Sequence, residues 1–312
     1  MSIPLSLVID DGAPIDTMFY ESPGYPTPLL VPTAFTRRVA DVFERYELGG
    51  KFTVIPMPSC LGRVDRSLKL VPQRHLHAFL DIVRDRIAPR FDITPEYLTH
   101  KNAYDLRREG FLHITEDAWI TRTPLEEVTD YFTLAFRILR NVGLNATGIT
   151  SPWDSGHDVE DKYAHALADA QWRVFRRRRT WYFLHMSDWG APLSCTVTHR
   201  NAARCQTVVS VPTNCSDIFW TMHLPTVRRR RAALRTGIDR LLSADGRTGR
   251  IRDLIESGHP ITLLTHWQCL FAQGSGMGLE GVVALAERIR KVLGNSVEWV
   301  KCSELARQSV RT

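Results

Sequence analysis

Two adjacent carboxylates and a glycine, Asp10-Asp11-Gly12, close the short apolar run Pro4-Leu5-Ser6-Leu7-Val8-Ile9. Such a run, rich in Leu, Val and Ile, reads as a buried strand. Successive strand residues point to opposite faces, so Asp10 and Asp11 cannot share an environment while the strand persists. A strand ending at a turn on Gly12 lets them splay around a common centre, one as a ligand and one as a base. The plain alternative is a strand-end turn, where Asp and Gly are both common.

Other residues able to do chemistry also fall at the ends of expected strands. A strand over Asp92–Thr99 lands on His100, and one over Ala146–Thr150 leads into Ser151-Pro152-Trp153. A strand over Thr180–His185 is followed by Ser187-Asp188-Trp189-Gly190, and one over Pro260–Thr265 ends in His266. A further strand is expected over Lys51–Pro56, after a helix that Thr33 caps and Gly49-Gly50 stops. Between the strands, apolar residues recur at helical spacing. Examples are Leu76, Phe79, Leu80, Val83 and Ile87 after Pro72, and Leu125, Val128, Phe132, Phe136, Leu139 and Val142 after Pro124. More helices are expected from about Val159 to Val174, Arg228 to Leu242, Arg250 to Ser257 and Leu279 to Leu293. Ala13–Pro32 reads as a long loop beside the Asp pair, and Leu193–Phe219 as an extra hairpin.

Strand and helix alternate from end to end of the 312 residues, without a linker or internal repeat. That pattern implies parallel strands with crossover helices, in one domain over residues 1–312. The count suits a closed or nearly closed barrel better than two open sheets. Active sites in such barrels gather at the C-terminal strand ends, where Asp10, Asp11, His100, Trp153, Asp188 and His266 all fall.

Bulk properties narrow the partners. The hydrophobic fraction of 44% leaves a sizeable core available. No window is apolar for long enough to span a membrane. The N-terminus lacks the pattern of a signal peptide, which makes a cytoplasmic location the expectation. Six cysteines without a CxxC pair exclude a zinc ribbon or thioredoxin-like motif, and read as mostly buried thiols. Much of the net charge of +6 comes from Arg176–Arg179 and Arg228–Arg231. No nucleic-acid-binding signature accompanies these runs, so they read as solvated helix ends or ion-pair partners rather than a nucleic-acid surface.

Taken in order, the strand ends resemble the polysaccharide deacetylase family (carbohydrate esterase family 4), whose fold is a distorted (β/α)7 barrel. The family's T-F-D-D-G motif is matched by Val8-Ile9-Asp10-Asp11-Gly12, and its Pro- and aromatic-containing third motif by Ser151-Pro152-Trp153. Its Asp-Trp motif is matched by Asp188-Trp189, and its Leu-x-His by Leu264-Thr265-His266. The resemblance implies a divalent metal, most simply zinc, held by Asp11 and His100, acting as a Lewis acid and lowering the pKa of its water. It implies Asp10 as base, His266 as the acid for the leaving amine, and Asp188 as an orienting partner. Trp153 and Trp189 would offer stacking faces for a carbohydrate or other N-acyl substrate.

The departure is in the second motif, H-S/T-x-x-H, aligned here on Thr99-His100-Lys101-Asn102-Ala103-Tyr104-Asp105. Tyr104 stands at the second histidine position, and a neutral phenol is a poor zinc ligand. Asp105, one residue out of helical phase with the needed direction, and His113 and Glu116 shortly downstream are the candidates for a third ligand. Two other readings stand beside the deacetylase. One is a degenerate barrel that binds carbohydrate without turnover. The other is a glycoside hydrolase using two of Asp10, Asp11 and Asp188, which demands a carboxyl separation of about 5 or about 6.5–9.5 Å. His157 and His185 lie close to the matched motifs.

Overall fold

The computed structural model describes residues 2–17, 30–220 and 226–310. Most of the expected loop over Ala13–Pro32 lies outside them. Strand β1 (Ile3–Asp10) is central to a parallel sheet that also contains β2 (Gly50–Thr53), β3 (Phe91–Thr94), β10 (Ile261–His266) and β11 (Val297–Trp299). A second sheet contains β6 (Ile149–Thr150), β7 (Arg179–Phe183) and β9 (Gln206–Ser210), all parallel. Its edge strand β8 (Thr196–Asn201) runs antiparallel to β9, which gives the expected hairpin. Parallel backbone bridges join Ile93 to Ala146, Glu96 to Thr150 and Cys215 to Leu263.

The helices are α1 (Thr33–Arg45), α2 (Gln73–Ile82), α3 (Glu116–Arg122), α4 (Leu125–Asn141), α5 (Glu160–Phe175), α6 (Val227–Leu241), α7 (Arg250–Ser257), α8 (Trp267–Phe271), α9 (Met277–Leu293) and α10 (Cys302–Ser309). The long ones are amphipathic, as their spacing requires. On α4, for example, Val128, Phe132, Phe136 and Leu139 are buried. The fold is mixed α/β with parallel sheets.

The alternation along β1 explains why its end is polar. Leu5, Leu7 and Ile9 enter the large core shared with the helices, whereas Val8 joins a smaller cluster with Trp181, Phe183, Val209 and Leu264. Both faces are covered, so the strand is apolar nearly throughout. Asp10 shares the Val8 face, opposite Ile9. It pairs in register with His266, which places both side chains on the same face of the sheet.

Several expected boundaries move. The strand expected over Lys51–Pro56 is Gly50–Thr53, and that over Asp92–Thr99 stops at Thr94. Pro56 and Pro95 cannot donate to a ladder, and each lies just beyond its shortened strand. The unexpected hairpin of β4 (Asn102–Asp105) and β5 (Gly110–Thr115) fills the stretch that was aligned on the second motif.

The Arg runs behave as side chains of helix ends and faces. Arg176 and Arg178 lie over the Trp172 ring, and Arg230 is buried against Gln273. Cys215, Cys269 and Cys302 are buried as expected, but Cys205 is exposed. Among the described residues no helix is long and apolar enough to cross a membrane.

Candidate active site

Asp11, Glu96 and His100 form the centre of the site. Their ligand atoms all lie within 4.8 Å of one another. His100 Nε2 is 3.3 Å from Asp11 Oδ1 and 3.5 Å from Glu96 Oε1. Asp11 is 3% exposed and Glu96 2%.

The backbone makes this convergence possible. Asp11 leaves the strand with φ of 64°, so its side chain departs from the alternation of β1. Asp is among the residues that tolerate this region. The positive φ therefore sits on Asp11 rather than on the glycine. Gly12 is needed for close approach, because a Cβ there would lie 1.9 Å from the Thr53 carbonyl oxygen. The Asp11 N–H donates to Glu96 Oε2 at 3.0 Å, tying the end of β1 to the segment after β3.

Glu96 lies four residues before His100, whereas Tyr104 lies four residues after it. The group of possible ligand atoms thus takes in Glu96 on the N-terminal side of His100 and does not take in Tyr104 or Asp105. Tyr104 packs edge-on against Phe111 within the hairpin. The Asp105 carboxylate accepts the backbone N–H groups of Arg107 and Arg108. His113 is exposed on β5. Glu116 is buried with both carboxylate oxygens occupied by the chain itself.

The donor set fits a divalent cation. Asp11 Oδ1 is buried and accepts no hydrogen bond, although it faces His100 and Glu96. Burial and the adjacent Asp11 hold the Glu96 carboxyl well above the usual range. Asp11 is held below that range: burial opposes this, but His100, His266 and the Gln268 amide outweigh it. Of two carboxylates this close, one is pushed toward its neutral form, here Glu96. Two oxygens and one imidazole nitrogen are a donor combination that zinc accepts.

Asp10 lies beside this centre, ion-paired with the fully buried Lys51. Lys51 also donates to Thr150 Oγ1 at 2.7 Å, and Thr53 Oγ1 donates to Asp10 at 3.2 Å. On the other side, His266 Nδ1 donates to Asp217 Oδ2 at 2.7 Å. Burial alone would lower the His266 pKa, but the bond and charge of Asp217, with Asp11 and Asp10 nearby, raise it to about 9.

A cavity of about 530 Å³ opens over these groups. Its lining includes Asp10, Asp11, Glu96, His100, Trp153 and His266. The Trp153 ring lies 4.8 Å from that of His100, and the Trp220 ring 5.0 Å from that of His266. Both indoles are about half exposed. His157 and His185 also line the cavity, with His185 Nε2 bonded to Glu160 at 2.8 Å.

Asp188 and Trp189 do not line it. The Asp188 carboxylate accepts the Ser216 hydroxyl, and Trp189 lies under the Arg240 guanidinium at 4.1 Å. Both residues have positive φ, which turns this segment away from the direction of β7. It is Asp217, not Asp188, that is hydrogen-bonded to His266, and Trp220, not Trp189, that lines the cavity. Glu96, Lys51, Asp217, Trp220 and Gln268 were not anticipated. The clearest available signal was for Lys51, whose polar side chain alternates with Phe52 and Val54 in an otherwise buried strand. No family model and no curated protein matches the chain.

Proposed function

We propose that this protein is a metal-dependent hydrolase of non-peptide C–N bonds, an N-deacetylase of the polysaccharide deacetylase type acting on a carbohydrate or related N-acyl compound. The observation that carries this reading is the shared cavity. The Asp11–Glu96–His100 donor set, Asp10 and His266 all line it, and His266 is hydrogen-bonded to Asp217 behind it. The pairing order β1, β2, β3, β6, β7, β9, β10 and back to β1, taken with the three isolated bridges, supports a closed ring of seven parallel strands.

Asp11, Glu96 and His100 would hold the cation, which when bound supplies Lewis acidity toward a carbonyl oxygen and toward water. Asp10, oriented by Lys51 and Thr53, takes the proton of the attacking water. His266, oriented by Asp217, gives a proton to the departing amine nitrogen. Trp153 and Trp220 offer apolar faces to a ring-shaped substrate. Glu96 weakens the case for a degenerate, non-catalytic barrel, since it offers a carboxylate in the third ligand position of this reading. The carboxylate-pair glycosidase is disfavoured because Asp188 is outside the cavity and Lys51 engages Asp10.

Stoichiometric zinc in the purified protein, and zinc-dependent release of acetate from N-acetylated amino sugars, are the expected results. Acetate release that survives complete chelation would refute the reading. The pH profile gives a second check. His266 is the proton donor only while cationic, so kcat/KM should decline as the pH rises through about 9. In Asp217→Asn the raising influence is lost, and that limb should move down toward about 6.5. A limb unchanged by Asp217→Asn would remove His266 from the acid role.

A further inference from the structure

Glu116 opens α3 and is completely buried, yet it is outside the metal-ligand group. Its Oε1 accepts the backbone N–H groups of Leu98 at 2.9 Å and Thr99 at 3.0 Å, and the Tyr131 hydroxyl at 2.7 Å. Its Oε2 accepts the His100 N–H at 2.8 Å. The Glu116 N–H donates in return to the Lys101 carbonyl at 3.0 Å. Three consecutive amides thus converge on one carboxylate, the arrangement by which a peptide nest captures an anion.

The nest is built from strained backbone. Tyr97 has φ of 43° and His100 has φ of 53°. Non-glycine residues persist in this region only where the surroundings over-determine them. Here the surrounding restraint is the Glu116 carboxylate, itself fixed by Tyr131 from α4. His100 is the last of the three residues this carboxylate gathers, and Glu96 lies two residues before the first.

We infer that Glu116 is the positioning residue of the metal centre: an internal anion that sets the 97–100 backbone so that Glu96 and His100 face Asp11. The inference rests on the metal reading proposed above. It assigns Glu116 no contact with metal or substrate. An outer partner of this kind is typically worth about 10–100-fold in metal affinity.

The test is zinc affinity by chelator competition, with thermal unfolding of the metal-free protein and the visible spectrum of the cobalt-loaded form. Glu116→Gln keeps the volume but presents an amide N–H to at least one of the converging donors. It should weaken zinc binding about tenfold or more and alter the cobalt spectrum, while metal-free unfolding remains cooperative. Tyr131→Phe, which removes one bond to the same carboxylate, should weaken zinc binding by a smaller factor. If Glu116→Gln fails to fold, Tyr131→Phe decides: weakened zinc binding supports the inference, and unchanged binding overturns it. Wild-type affinity and spectrum in Glu116→Gln, with affinity lost in His100→Ala, would overturn the positioning role and leave the metal site standing. Absence of zinc binding in the wild type would instead overturn the metal reading, and this inference with it.

Discussion

Glu96→Ala is expected to lower zinc affinity by more than the roughly 100-fold that loss of an outer partner costs, because the proposed site makes Glu96 a direct ligand. His100→Ala should do the same. Asp105→Ala and Tyr104→His should leave affinity unchanged, since Asp105 is engaged by its own hairpin backbone and Tyr104 packs on Phe111. The contrast is decisive because Glu96 and Tyr104 occupy the i−4 and i+4 positions around the same histidine. An imidazole introduced at position 104 would sit on β4, beyond the turn that follows His100. Isothermal titration of zinc into the four variants separates the alternatives. Wild-type affinity in Glu96→Ala together with loss in Asp105→Ala would reinstate the ligand set expected from the sequence.

The largest expected effect on folding comes from Lys51→Met. Lys51 and Asp10 are both buried, and the lysine is held between the Asp10 carboxylate, Thr150 and the Phe183 ring, 4.8 Å from its centroid. Removing one partner of a buried ion pair leaves an uncompensated charge and costs about 3–5 kcal/mol. Replacing both partners with neutral groups removes that charge, so adding Asp10→Asn to Lys51→Met should recover much of the loss. Denaturant midpoints for the two single variants and the double variant measure the coupling. Independent, additive losses would show that the pair contributes little through its mutual charge. The double variant, stable or not, should lack the proposed deacetylase activity, because the proposed base is gone.

How far the site can be read from the chain depends on whether a residue acts through its own strand or through a partner distant in sequence. Asp10, Asp11 and His266 were legible because each terminates an apolar run, and parallel pairing then places Asp10 beside His266. Trp153 was legible as a residue just past a strand, whereas His100 was singled out at the end of an expected strand that in fact stops at Thr94. The helices were legible from their periodicity, as on α4. Glu96 was obscured by an expected strand that continued to Thr99, where it would have counted as one more alternating residue. With β3 ending at Thr94, Glu96 keeps a single bridge to Thr150 and the chain then bends through Tyr97 and His100, both of positive φ, a path about which local periodicity carries no information.

The sequence alone therefore determined the alternating α/β order, the apolar strands and the polar groups at their C-terminal ends. Those features follow from local propensity and from the two-residue and 3.6-residue periods of strand and helix. The tertiary structure alone decided which carboxylate serves which histidine. Asp217 rather than Asp188 reaches His266, Glu96 rather than Asp105 joins His100, and Glu116 turns inward to hold the backbone between them. Each of these choices is set by the direction in which a short non-repetitive segment leaves its strand. That direction is fixed by hydrogen bonds to residues remote in the chain, and spacing along the sequence does not encode it.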